Sequence, residues 1–400
     1  MKLKLSSRTV ILMTVFIDIL GAGIVIPILP FYVQSFGASP LTMTLLFSVF
    51  SLCAFFSAPY LGALSDRIGR RPILLVSIAS TALGWLVFAS ARSVWVLFAA
   101  RIVDGLAAGN VSTAQSYMSD MATTDQERTH NFGLIGALWG VGLIIGSFLG
   151  GVLSQVSHTF PFWFVGALAS LNLVLAYFML PETHHERTQG KVELNPIAPI
   201  AHNLADSVLL PSLIMWFLVS MAISMQQSVF ALFLGSAFGF GELAAGISLA
   251  CVGAIVAFNQ GVLLKKFWIR RFSEADLELG MLALFALGFV FHGMRVIALF
   301  ALGVFIVTMA QSVLRVVTMS QVSVLRPKKR GEVLGLMNSI MSLAMIAGPA
   351  LAGALFEYNI QSPFFVAALV SAGAFFIAWQ NRRMLARLKF SEPEQIPETL

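Results

Sequence analysis

Four charged side chains, Asp18, Arg101, Asp104 and Arg315, sit inside long apolar runs of this 400-residue chain. A charge in hydrocarbon is costly, so residues of this kind mark ion or proton pathways. Arg101 and Asp104 are three positions apart and share one helical face, where Gly105 and Ala108 continue a stripe of small residues that permits close helix approach. The pair can neutralise itself as a structural tie. Alternatively the guanidinium, charged at any relevant pH, tunes a carboxylate that it approaches, Asp18 or Asp104. Asp18 has no opposite charge within its own run. Apolar surroundings disfavour the ionised form, so its carboxyl is a candidate to take up and release protons near neutrality. The other reading of Asp18 is a charged interhelical tie to Arg101, Arg315 or backbone donors. Of the 19 acidic residues, only Asp18 and Asp104 read as lying well inside a span.

Polar residues embedded in the same runs supply candidate walls for a substrate cavity. They are Asn110, Gln115 and Trp139 in the first half, and Gln226, Gln227, Asn259, Gln260 and Gln311 with Arg315 in the second. Each alone could equally be an interhelical hydrogen bond. The 34 Phe and 17 Met suit a broad apolar pocket, although lipid-facing side chains give the same counts. There is no Gly-Lys-Ser/Thr loop to couple ATP and no His-Glu-x-x-His helix to hold zinc, so no enzymatic activity, cofactor or metal centre is expected. His184-His185 falls in a polar stretch that reads as a solvated linker. Cys53 and Cys251 lie in helices of different halves and read as packed thiols.

The elements that position these residues follow from composition. A chain that is 58% hydrophobic and 11% charged, with mean hydropathy +0.86, cannot hide its apolar surface in a water-soluble core and must face lipid. Runs of spanning length predict twelve helices at roughly 9–36, 41–61, 72–91, 93–119, 131–154, 160–180, 209–236, 242–264, 277–294, 296–322, 332–356 and 362–381. The first continues past Pro27 and Pro30 without a small-residue cleavage site, so it reads as a retained span. With the N-terminus in the cytoplasm, twenty-one of the 25 Lys and Arg fall on the cytoplasmic side, which places both termini there. The net charge of +6 expresses that asymmetry and implies no nucleic-acid partner.

The chain also repeats itself. A shift of 202 positions aligns Arg128 with Arg330, Gly133 with Gly335, Gly146 with Gly348, Gly151 with Gly353, Pro161 with Pro363 and Phe162 with Phe364, without a gap. Two six-helix halves in the same membrane orientation are therefore expected, residues 1–181 and 209–400, joined by a polar linker at 182–208.

The short polar gap after the second run reads Gly62-Ala-Leu-Ser-Asp-Arg-Ile-Gly-Arg-Arg-Pro72. It resembles the signature loop of the major facilitator superfamily, met here by Gly62, Asp66, Arg67, Gly69, Arg70 and Arg71, which in that family joins helices 2 and 3 on the cytoplasmic side. Asp18-Ile-Leu-Gly-Ala-Gly-Ile-Val-Ile-Pro-Ile-Leu-Pro30 resembles the first-helix motif of the twelve-helix drug:proton antiporters, the tetracycline exporters in particular. Arg101-Ile-Val-Asp-Gly105 is similar to that branch's helix 4 element, in which a buried arginine is associated with proton transfer. Gly142, Gly146, Gly150 and Gly151 are close to its antiporter motif on helix 5, with Ser147 where proline is usual. The tetracycline exporters carry an acidic residue in helix 3 that aligns onto Gly84, a departure that weakens tetracycline itself as substrate.

The resemblance implies an all-helical membrane protein of two six-helix bundles, with helices 1, 4, 7 and 10 lining its core. It implies a proton-coupled exporter of small amphiphilic molecules, working as a monomer in a bacterial inner membrane. A dedicated exporter of one metabolite, such as a sugar, siderophore or lipid-like compound, is the second reading, and a non-transporting sensor or assembly partner the third. For Asp66 the expectation is a latch: a carboxylate at the end of helix 2 that docks on the start of helix 11, near Gly331 to Gly335, when the cytoplasmic side is closed.

Overall fold

The computed structural model describes residues 7–122, 124–183, 206, 208–325 and 330–391, and every regular element among them is helical. In hydrocarbon each backbone donor must find its acceptor within the segment, which leaves the helix as the only open-chain solution. The first bundle contains α1 (Ser7–Gln34), α2 (Pro40–Ile68), α3 (Arg70–Ala89), α4 (Val94–Leu106), α5 (Asn110–Asp120), α6 (Asp125–Leu153) and α7 (Phe160–Met179). The second contains α8 (Leu210–Phe238), α9 (Glu242–Phe258), α10 (Glu274–His292), α11 (Ile297–Leu325), α12 (Arg330–Tyr358) and α13 (Ser362–Ser391). Eleven of the helical stretches are long and apolar enough to cross a membrane. Most of the expected linker, 184–205 and 207, lies outside the described residues.

The fourth predicted span is not one helix. It breaks at Ala107–Gly109 into α4 and α5. The break is tolerated because side chains from neighbouring helices bond to carbonyls beside it: Ser57 on α2 donates to Gly105 O at 2.7 Å, and Ser80 on α3 donates to Val103 O at 2.7 Å. Gly109 sits so close to α2 and α3 that a Cβ there would lie 3.1 Å from Leu61 Cβ and 3.2 Å from Ser77 Oγ. A second irregularity prolongs α9, whose last turns widen into a π-helix over Asn259–Trp268 before a final turn at Ile269–Arg271.

Within the first bundle α1 packs on α6 and α7, α3 on α7, and α2 on α4. Within the second, α8 packs on α12 and α13, and α10 on α11 and α13. The bundles meet along two seams, α2 against α12 and α6 against α9. The sequence repeat is visible there in three dimensions. A Cβ on Gly151 would lie 3.0 Å from Leu243 Cα, and one on Gly353 would lie 2.8 Å from Leu41 Cα. Both the glycines and the leucines are 202 positions apart.

Among the described residues the seams are in contact at one end and open at the other. At the end remote from the chain termini, called far below, Gly246 and Gly253 on α9 press on Ser147 and Ile144 of α6, and Gly235 on α8 presses on Phe31 of α1. At the near end Gly62 on α2, Gly133, Gly136 and Gly140 on α6, Gly261 in the π-helical stretch and Gly335 on α12 would each accept a Cβ with nothing within 4 Å. The core divides accordingly. One apolar cluster runs through the second bundle and the far half of the first, including Val25, Leu29, Phe162 and Phe230. A separate cluster around Ile11, Leu74, Tyr117 and Ile135 fills the near end of the first.

Candidate functional site

Arg101 is buried and turns toward α3. Its guanidinium lies over the rings of Trp85 at 4.3 Å, Phe88 at 4.9 Å and Phe50 at 5.7 Å, and NH1 is 3.5 Å from Asp104 Oδ2. Of the two acids that Arg101 was expected to approach, the structure pairs it with Asp104. Its Nε is buried without a hydrogen bond, so the cation relies on one carboxylate and on ring faces. Asp104 in turn fills the space over Gly84, where a Cβ would lie 3.1 Å from Asp104 Cβ, and it accepts a hydrogen bond from Thr81. A carboxylate on α4 thus occupies the neighbourhood of the position at which the resembled exporters carry one on helix 3.

Asp18 is half-buried on α1. One turn before it Thr14 donates to Asn172 Oδ1 of α7 at 3.2 Å, and three positions after it Gly21 abuts Val165 of α7. The α1–α6 contact beside Asp18 is made by the antiporter-like glycines. Gly142 would place a Cβ 3.1 Å from Ile19 Cβ, Gly146 one 2.5 Å from Leu20 O, and Gly150 one 2.6 Å from Ile24 O, while Gly151 faces α9. These glycines therefore pack α6 against both a helix of its own bundle and one of the other. Ser147, standing where the motif has proline, is buried and donates to Gly23 O at 3.2 Å.

The loop between α2 and α3 is a charged knot at the near end. Gly69 has φ of 112°, and a Cβ there would collide with the carboxyl of Glu182, which accepts from the Arg70 and Arg71 amides at 2.9 and 3.2 Å. Arg70 pairs with Asp66 one turn back, donates from Nε to Asp120 Oδ2 at 3.0 Å and from NH1 to Ser65 Oγ at 2.7 Å. Arg71 donates to Tyr177 O at 2.7 Å, and Arg67 is exposed. Asp66 is held by Arg70 while Gly335, on the first turns of α12, stands open.

The expected cavity residues divide into two groups. Gln115, Trp139 and Arg315 are exposed, Trp139 on the same near stretch of α6 as the open glycines, and Gln227 and Gln311 are partly exposed. Gln226 is buried in α8, and the side chain of Asn110 lies outside the described residues. Asn259 is a different case from the expectation: it is fully buried, donates to Ser312 Oγ at 2.6 Å and Met309 O at 3.1 Å, and accepts from Trp268 Nε1 at 2.8 Å. It ties the π-helical stretch to α11, because a buried amide with three partners has little left for a ligand.

Sequence reasoning missed three acids. Glu278, one turn into α10, accepts from Thr318 of α11 at 3.2 Å, and was passed over because it falls at the edge of its predicted span. Glu242 opens α9 and pairs with His158 of the loop after α6. Glu357 ends α12 and accepts from the Leu41 amide of α2 at 3.1 Å. The last two contacts cross between the bundles at the far end.

Comparison with known proteins agrees with this arrangement. The chain is similar to the class C tetracycline resistance protein of Escherichia coli, 28% identical over 92% of this chain and 94% of the relative. It is similar to the quinolone resistance protein NorA of Staphylococcus aureus, 26% identical over 95% and 97%. A solved bacterial homolog of the human lysosomal transporter Spinster, inward-facing and unoccupied, shares the fold at a TM-score of 0.78 with 15% identity, covering 95% of this chain and 97% of that one. The family model described as Major Facilitator Superfamily matches residues 11–275 and 267–397, and with its helices in two bundles meeting along paired seams, the chain belongs to that superfamily of multi-pass membrane transporters.

Proposed function

We propose that the protein is a proton-coupled exporter of small amphiphilic molecules that works by alternating access, with the near end and both termini in the cytoplasm of a bacterial inner membrane. The observation that carries the reading is the one-sided seal: contact along both seams at the far end and empty space beside the near-end glycines. A carrier must hold its site open to one side at a time, and this arrangement is what an inward-open state requires. The charge asymmetry of the loops supports the orientation, and the resemblance to drug-resistance proteins supports export.

In this reading substrate enters between the near halves of α6, α8, α11 and α12, past Arg315, and reaches Trp139, Gln227 and Gln311 about midway along their helices, while Asp18 exchanges the coupled proton. Arg101 and Asp104 hold α4 on α3 and keep a fixed charge pair close to the pathway. Asp66 is the near-end latch, released here to Arg70 and docking on the first turn of α12 when that end closes. The test uses inverted vesicles with an imposed pH gradient and an acid-sensitive dye, screening tetracyclines, quinolones and other lipophilic compounds. Proton movement on addition of at least one compound is expected, abolished in a folded Asp18→Asn protein. Coupled flux that survives that substitution removes Asp18 from the proton path, and a screen with no response removes drug export.

A further inference from the structure

α2 and α12 run antiparallel across the boundary between the bundles, so each helix ends beside the start of the other. At the far end Glu357, on the last turn of α12, accepts from the Leu41 amide at 3.1 Å. That amide is one of the donors that the first turn of a helix leaves without an internal partner, and the next, from Thr42, goes to Ser39 Oγ at 3.3 Å. Immediately inside this contact Gly353 closes over Thr44, which is completely buried. At the near end the equivalent carboxylate is Asp66, on the last turn of α2. It pairs with Arg70, and Gly335 on α12 has open space around it.

We propose that Glu357 is a far-end latch on this helix pair, closing its own end by docking a carboxylate on the first turn of α2, reciprocal to the near-end Asp66 latch of the reading above. The proposal rests on the alternating-access reading and adds Glu357 as a positioning residue for the outward-closed state. Two stiff helices that rock about a crossing point cannot bring both ends together, so engagement at one end means release at the other. A helix start offers free amides and partial positive charge, which makes it a docking point for a carboxylate that leaves no buried ion behind when it departs. The other seam is built differently. The residue 202 positions before Glu357 is Gln155, just past the end of α6, whose side chain turns back to Gly151 O at 3.5 Å, and His158 with Glu242 closes that end instead.

The test uses the full chain with Cys53 and Cys251 replaced by Ser and two single-cysteine reporters, Thr44→Cys and Gly335→Cys, labelled with a membrane-impermeant maleimide. The first is read in right-side-out vesicles and the second in inverted ones. Glu357→Gln should raise the labelling rate at position 44 by ~two- to fivefold and lower it at position 335 by a comparable factor, with Glu357→Asp closer to the unsubstituted protein. Asp66→Asn should move both reporters the opposite way. If Glu357→Gln leaves both rates unchanged while Asp66→Asn still moves them oppositely, the Glu357 latch is overturned and alternating access stands. A rise at both reporters marks general loosening and overturns the latch as well. Reporters that never move oppositely in any variant overturn alternating access, and the latch with it.

Discussion

The fourth helix of the first bundle and its counterpart in the second solve the same packing problem in opposite ways. In the first, α4 carries Arg101 and Asp104 and breaks before α5, and the arginine spreads over Trp85 and Phe88 of α3. In the second, the positions 202 residues on are Gly303 and Ile306, and α11 runs unbroken for 29 residues. Gly303 lets α11 touch the backbone of α10, where a Cβ would lie 2.7 Å from both Gly288 O and His292 Cα. The second bundle instead buries a lone imidazole, His292, among Phe230, Phe289, Phe300 and Phe364 with neither ring nitrogen hydrogen-bonded. Duplication preserved the backbone plan, and the ion pair in the middle of the fold stands in one half alone.

The largest expected effect breaks that pair. Asp104→Asn leaves a buried guanidinium without its counter-ion, which should cost about 3–5 kcal/mol of stability. Unfolding in mixed micelles reads it, and a loss below about 1 kcal/mol would mean that the rings alone hold Arg101. Next comes the glycine beneath the pair. Gly84→Ala adds a methyl 3.1 Å from Asp104 Cβ and should cost about 1–3 kcal/mol, whereas the counterpart position already holds Ala286. Because the close contact is with Cβ, which every residue but glycine keeps, co-substitution Asp104→Gly should relieve part of that cost, so additive losses in the double variant would show the two positions to be independent. The smallest effect is expected in the second bundle. His292→Phe replaces an imidazole that has no polar partner with a ring of similar shape, so stability should change by less than about 1 kcal/mol and the pH dependence of transport should stay as it was. A displaced pH profile would give the second bundle proton chemistry of its own and end the asymmetry.

Much of this was legible in the residues. Lengths of apolar sequence located the helices to within a few positions, save at the near ends of α2, α6, α9 and α13, because spanning a bilayer fixes how many residues a helix needs. The signature loop announced itself through Gly69, whose positive φ and contact with Glu182 exclude other side chains. Hydropathy could not register the break at Ala107–Gly109, since those residues are as apolar as their neighbours and what lets the helix break there, hydroxyls on α2 and α3, comes from other parts of the chain. Asn259 misled for a related reason. A polar residue in a span signals a needed partner, and only the neighbouring helix says whether that partner is a ligand or, as here, Ser312 and Trp268.

By itself the sequence determined the solvent, the number of crossings, the duplication and the family, because each rests on composition or on spacing along one chain. The tertiary structure decided which carboxylate Arg101 meets, that Asn259 is a tie, and that the far end is sealed by Glu357 and Glu242 while Asp66 rests on Arg70. Those outcomes depend on which residues from distant parts of the chain come within a few ångströms of one another. Hydropathy and periodicity describe how a helix meets lipid, and they carry no record of which helix it meets next.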